Sequence, residues 1–252
     1  INLMKKVAIV TGGSGVLGKA ISNHLIKKGI IVISCYNKNA IPLKKNQSNQ
    51  VDIFPLKMDL NNKVSIKKAF KKVFEIFGRI DFLINNAGYT IQCEPKDLKK
   101  MKFREIDKIF KINVFGSIFS SFEALDYFKM QQKKNKDFLG SVINISSNSI
   151  KTHNASNLFY ISSKAALQSI TESMALHYGN ISRFNVVAPG LVKSKLTEKT
   201  FDKIYDRVLS RTSMKRLIEP KDIAITVNSI LQDMTMVNGQ TIYVDGGRTI
   251  GD

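Results

Sequence analysis

An apolar tetrad, Val7-Ala8-Ile9-Val10, runs into a glycine-rich turn, Thr11 to Gly18, and then into a helical pattern from about Leu17 to Lys28. Gly29 stops that pattern as a natural C-terminal cap. A strand this short, coupled through a tight turn to a helix, has to bury its two sides under helical layers. The rest of the chain repeats the unit. Strands are expected at Ile30–Ser34, Ile53–Leu56, Phe82–Ile84, Val142–Ser147, Phe184–Ala188 and Gln240–Val244. Between them lie helical patterns at Lys63–Phe77, Phe103–Gln131, Tyr160–Tyr178 and after Pro220. Alternation of this kind gives right-handed crossovers. The expected fold is α/β: a single Rossmann-type doubly wound domain over residues 1–252, with a seven-stranded parallel sheet flanked by helices.

Composition fits that picture. The chain has 252 residues, 43% hydrophobic and 23% charged, as in ordinary globular domains. No apolar stretch approaches the ~20 residues of a membrane span. Ile1 to Lys6 has no signal-peptide architecture. With only Cys35 and Cys93, in no metal or redox spacing, a cytoplasmic setting and no metal site are expected. The net charge of +19 is spread over several helices, as at Lys67, Lys68, Lys71 and Lys72. These groups do not interleave with aromatics, so nucleic acid is disfavoured against a solvated lysine face or an acidic carrier partner.

In such sheets ligands bind beyond the C-terminal ends of the strands. Three features converge there: the glycine turn, Asn85 to Gly88, and Ser147. Gly13-x-Gly15-x-x-Gly18, after a strand and opening a helix, matches a dinucleotide fingerprint, although a glycine turn can also be only a turn. Where the second strand ends, an acidic residue would accept from a ribose 2′-hydroxyl. This chain instead has Asn37 and Lys38, which favour NADP(H) over NAD(H) unless Lys38 is merely a surface residue. Tyr160 and Lys164 share a helix face at i and i+4, with Ser147 thirteen residues upstream of the tyrosine. A cation ~4 Å away contributes about 4 kcal/mol at an effective dielectric of ~20. Lowering a phenol from ~10 to ~7 needs about as much. Lys164 is therefore expected to make Tyr160 labile, in an arrangement suited to proton transfer at a carbonyl or alcohol oxygen.

Thr11-Gly12 with Gly18, Asp59, Asn85-Asn86-Ala87-Gly88, Asn113, Ser147, Tyr160, Lys164, Pro189-Gly190 and Val244-Asp245-Gly246-Gly247 together resemble the short-chain dehydrogenase/reductase family over essentially the whole chain. Val16, where the family usually has glycine, is a departure. The resemblance implies Tyr160 as acid/base and Ser147 as hydrogen-bond partner of the substrate oxygen. It implies Lys164 on the nicotinamide ribose, lowering the tyrosine pKa, and Asn113 positioning a relay water. Gly12, Gly13, Ser14, Gly15, Leu17 and Gly18 would cradle the phosphates, Asp59 and Leu60 flank the adenine, and Asn86, Ala87 and Gly88 pass along the cofactor. Pro189, Gly190, Val192 and Ser194 would lie toward the nicotinamide. Within the family the chain looks most like 3-oxoacyl-[acyl carrier protein] reductases of fatty acid biosynthesis, supported by Arg216, Pro220 and the ending from Gly239 to Gly247.

Other readings stay open: a sugar or polyol dehydrogenase, or a non-catalytic nucleotide-sensing or nucleic-acid-binding module. Asp59 has the alternative of simply capping the helix after it, and Asp245 is expected to brace the C-terminal turns. The apolar stripes around Ile106, Phe110, Phe115 and Phe122 predict a homodimer or, in line with the family, a homotetramer. Residues 193–215 are expected to form a substrate lid which, with Thr90 to Pro95, selects the substrate.

Overall fold

The computed structural model describes residues 5–39, 42–45, 51–194, 197 and 201–250. Its strands are β1 (Val7–Val10), β2 (Ile31–Tyr36), β3 (Lys44–Lys45), β4 (Val51–Lys57), β5 (Phe82–Asn85), β6 (Gly140–Ile145), β7 (Ser182–Pro189) and β8 (Thr241–Val244). The helices are α1 (Val16–Lys27), α2 (Lys63–Phe77), α3 (Phe103–Phe110), α4 (Ser117–Lys134), α5 (Ser149–Thr152), α6 (Leu158–Tyr178), α7 (Phe201–Ser210) and α8 (Pro220–Gln232). The strand order is β3-β4-β2-β1-β5-β6-β7-β8. All seven expected parallel strands are present, and an eighth corrects the count: β3, two exposed lysines paired antiparallel to β4. Charged residues on a short edge strand discourage further pairing, and they give no apolar signal to read.

Alternation along β1 builds both layers. Val7 and Ile9 face a core with Phe70, Phe128 and Phe184, covered by α2, α4 and α6. Ala8 and Val10 face Ile21, Leu25, Ile223 and Val227 of α1 and α8. Local chemistry sets the helix ends. Asn62 caps α2 by accepting from the Ser65 N–H, and Gly78, at φ 69°, ends it in the left-handed region. Pro220 opens α8 at its first position, with Asp222 accepting from the Glu219 N–H at 2.8 Å.

The long helix expected over Phe103–Gln131 is present, but in three pieces. A π-helical stretch, Lys111–Gly116, joins α3 to α4 and carries Asn113. Single π turns inside helices recur at functional sites. The expected lid falls partly on residues 195–196 and 198–200, which lie outside the described residues; its described remainder includes α7. Among the described residues no helix is long and apolar enough to cross a membrane, and no group of three or more His, Cys, Asp or Glu is placed to hold a metal.

Candidate active site

Strand order reverses between β1 and β5, and the loops after these two strands are laced together. The Thr11 hydroxyl accepts from the Asn86 and Ala87 N–H groups, both at 3.0 Å. Asn86 returns two bonds from Nδ2, to the Thr11 and Gly12 carbonyls at 2.9 and 3.1 Å. Asn86 thus shapes the glycine turn. Two glycines are required by close approach: a Cβ on Gly18 would stand 2.3 Å from the Gly12 carbonyl oxygen, and one on Gly12, at φ +62°, 2.9 Å from Ala87 Cα. Gly15 is the N-cap of α1, so Val16 becomes the first helical residue and sits partly exposed.

The Gly13 N–H donates to the Cys35 carbonyl at 2.9 Å, which brings the end of β2 alongside the turn. Asn37 and Lys38 follow, both exposed. Asp59 lies just beyond β4 and is engaged locally, Oδ1 accepting from the Asn61 N–H and Nδ2 at 3.0 Å. Leu60 packs against Gly116, where a Cβ would approach to 2.7 Å.

A cavity of about 1000 Å³ opens beyond β5, β6 and β7. Leu17, Asn86, Gly88, Ser147, Tyr160, Lys164, Pro189, Gly190, Val192 and Ser194 all line it. The other expected residues, among them Ser14, Ala87, Asn37, Lys38, Asp59, Leu60 and Asn113, do not reach its wall.

β6 ends at Ile145, so Ser147 stands two residues beyond the strand rather than at its tip. It is fixed there by the Ser149 N–H, which donates to its Oγ at 3.2 Å, and by the Asn148 N–H, which donates to the Pro189 carbonyl at 2.9 Å. Tyr160 lies in the first turn of α6 and is hydrogen-bonded to Ser147. Lys164 is 3% exposed. Its Nζ donates to the Ile145 carbonyl at 2.7 Å, and Ser146 Oγ donates to the Lys164 carbonyl at 3.2 Å.

The expected effect of Lys164 on Tyr160 is corrected. Burial raises the Tyr160 pKa, and the hydrogen bond from Ser147 is the opposing cause. Lys164 is itself lowered by burial to about 8. Its ammonium is 5.8 Å from the tyrosine ring centroid and is directed to the Ile145 carbonyl. In this state the phenol holds its proton at neutral pH.

Asn113 is buried, with its side chain committed to structure. Oδ1 accepts from the Tyr89 N–H at 2.8 Å, and Nδ2 donates to the Tyr89 carbonyl and to Ser163 Oγ, both at 3.0 Å. Asp245 accepts from the Gly247 and Thr249 N–H groups at 3.1 Å, bracing the C-terminal turns as expected.

Behind the site runs a buried polar chain that sequence reading missed. Asn85 Nδ2 donates to Asn144 Oδ1, and Asn144 Nδ2 to Thr171 Oγ1, both at 2.8 Å, tying β5 and β6 to α6. Asn157, the N-cap of α6, was missed as well, although an asparagine three residues before the tyrosine is a signal that could have found it.

A nucleotide fits these residues on two observations. The turn leaves no room for side chains at Gly12 and Gly18 and presents the α1 N-terminus. The buried Lys164 ammonium has three donors and, among the described residues, one hydrogen-bond acceptor, leaving two for hydroxyls in the cavity.

Residues 13–249 match the family model described as "Enoyl-(Acyl carrier protein) reductase". A Staphylococcus epidermidis protein named 3-oxoacyl-[acyl-carrier-protein] reductase FabG is 30% identical over 250 residues, 97% of this chain and 99% of that protein. Among solved structures, the Thermoplasma acidophilum aldohexose dehydrogenase in ligand-free form superposes with a TM-score of 0.82 at 26% identity, covering 99% of this chain and 96% of that one. The 3-ketoacyl-(acyl-carrier-protein) reductase from Brucella melitensis, complexed with NADH, gives 0.84 at 22% identity, covering 97% and 98%, and likeness at that identity speaks to the fold. The chain belongs to the short-chain dehydrogenase/reductase family of NAD(P)-dependent oxidoreductases.

Proposed function

We propose that the protein reduces a carbonyl to a secondary alcohol with NADPH, and that its substrate is a 3-oxoacyl group on an acyl carrier protein. A bound reduced nucleotide would supply the hydride for the carbonyl carbon. Tyr160 gives its phenolic proton to the carbonyl oxygen as negative charge develops there, and Ser147 donates a hydrogen bond to the same oxygen. Lys164 holds the nicotinamide ribose with its spare donors, and the main chain at Asn113 meets the water that returns the proton. Gly12, Gly13, Ser14, Gly15, Leu17 and Gly18 cradle the phosphates, with Asn86, Ala87, Gly88, Pro189, Gly190, Val192 and Ser194 along the nucleotide. Ile204, Arg207 and Val208 of α7 line the cavity, and α7 serves as a substrate lid.

One observation carries the reading: Tyr160, whose burial favours the phenol over the phenolate, shares a cavity wall with Ser147 and the buried Lys164. A proton donor is what reduction requires. The NADPH preference rests on exposed Asn37 and Lys38 at the end of β2, where no carboxylate would repel a 2′-phosphate. The carrier-bound substrate rests on the relatives' names and on the net charge of +19. An aldohexose is the second reading, favoured by the similarity to the Thermoplasma dehydrogenase. Half-exposed Phe115 and Phe122 support a homodimer or homotetramer. Sedimentation that finds only monomer at micromolar concentration would overturn that assembly.

The functional test follows nucleotide absorbance with acetoacetyl-CoA, a carrier-bound 3-oxoacyl chain and a panel of aldohexoses, each with NADPH and NADH. Consumption of NADPH with the thioesters alone supports the proposal; turnover confined to sugars sinks it.

A further inference from the structure

We infer that Asn157 is a positioning residue that sets the proton-donating tyrosine against the substrate-facing wall, an inference that rests on the function proposed above. Asn157 is 3% exposed, and each polar atom of its side chain has a partner. Oδ1 accepts from the Tyr160 N–H at 2.8 Å, capping α6 at the turn that carries the phenol. Nδ2 donates the other way, to the Ile91 carbonyl at 2.7 Å and to Thr90 Oγ1 at 3.2 Å. The orientation of the amide is fixed by its partners, since the Tyr160 N–H needs an acceptor and the Ile91 carbonyl a donor.

Thr90, Ile91 and Cys93 line the same cavity as Tyr160. Neighbouring contacts reinforce the joint: Ser156 Oγ and Thr90 Oγ1 are hydrogen-bonded, and the Cys93 N–H donates to the Ser156 carbonyl at 2.8 Å. A serine, threonine or aspartate would cap this helix as well as asparagine does. None of them has an amide donor for the Ile91 carbonyl. Capping alone therefore does not call for asparagine, whereas capping together with holding the wall does.

Three variants separate the two halves of the side chain. Asn157→Ser and Asn157→Asp keep the acceptor for Tyr160 and lose the amide donor; Asn157→Ala loses both. Expected for the serine and aspartate variants is a carbonyl-substrate KM raised about tenfold or more, with kcat within about threefold, because the wall moves while the phenol stays. The alanine variant lowers kcat as well, and the nucleotide Kd is unchanged throughout. An activity-independent readout is amide hydrogen exchange of the ligand-free protein. In the serine and aspartate variants the Cys93 amide should exchange at least about tenfold faster, while the Tyr160 amide stays protected. Unchanged Cys93 exchange in both overturns the inference, as does a loss of kcat and KM in common proportion across all three. Should the alanine variant not fold, the other two carry the test. Failure of the wild-type enzyme to turn over any carbonyl sinks the proposed function instead, and the exchange data still decide the role of Asn157.

Discussion

Burial is the largest cause of shift at both Tyr160 and Lys164; it favours the neutral form of each and so moves them in opposite directions, with Ser147 opposing it at the tyrosine. The phenol keeps its proton past its ordinary range, while the ammonium loses its own as pH rises through about 8. Reduction needs both groups protonated, so the lysine sets the alkaline limit. We predict that kcat/KM for the reduced nucleotide, which reports the free protein, is flat below that pH and falls about tenfold per unit above it. A value still rising between pH 8 and 9 would contradict the assignment of Lys164. Stability follows the same proton. The folded value of about 8 lies below the unfolded ~10.4, so in that window the unfolded chain binds more protons and this group's contribution to stability rises with pH. Spacing in the sequence revealed the pair but not the direction of the shift. Direction depends on what covers the ring and where the ammonium points, and both are tertiary facts.

At the scale of elements, the turn between β1 and α1 makes different demands on its glycines. A Cβ on Gly18 would meet backbone at 2.3 and 2.7 Å, from the Gly12 oxygen and Gly13 Cα, and neither can swing away. Gly18→Ala should cost about 1–3 kcal/mol in stability, as overpacking does, and raise the nucleotide Kd. Gly15→Ala meets only the Gly12 oxygen, at 3.3 Å, at an ordinary φ of −74°. It should stay within about 1 kcal/mol. Thermal melts of the two variants check the contrast, and equal losses would refute the close-approach argument. The sequence pattern exposed this turn and every long strand, because apolar runs bounded by glycine or proline are legible. It hid β3, whose Lys44 and Lys45 carry no apolar pattern, and the π-helical stretch around Asn113, which lies inside one continuous apolar helical pattern. It also hid the link from Asn85 through Asn144 to Thr171, since a buried polar chain is recognised only once its partners face one another.

For the molecule as a whole, a net charge of +19 attracts an acidic partner through a field that salt screens over ~8 Å at physiological ionic strength. Turnover of a carrier-bound 3-oxoacyl substrate should fall steeply between low and high salt, while acetoacetyl-CoA responds far less. Parallel salt curves for the two would remove the carrier from the account. The doubly wound sheet places the loops after β1, β5, β6 and β7 at one edge, and function depends on what one phenol does there. Replacing Tyr160 with phenylalanine keeps the ring and removes only the proton and its bond to Ser147. The decisive measurement is single-turnover oxidation of bound NADPH by this variant beside the wild type. A rate lower by about a hundredfold or more, with the nucleotide Kd unchanged, is the predicted result, since a positioned acid contributes 10²–10⁴-fold; a wild-type rate in the variant would contradict the account.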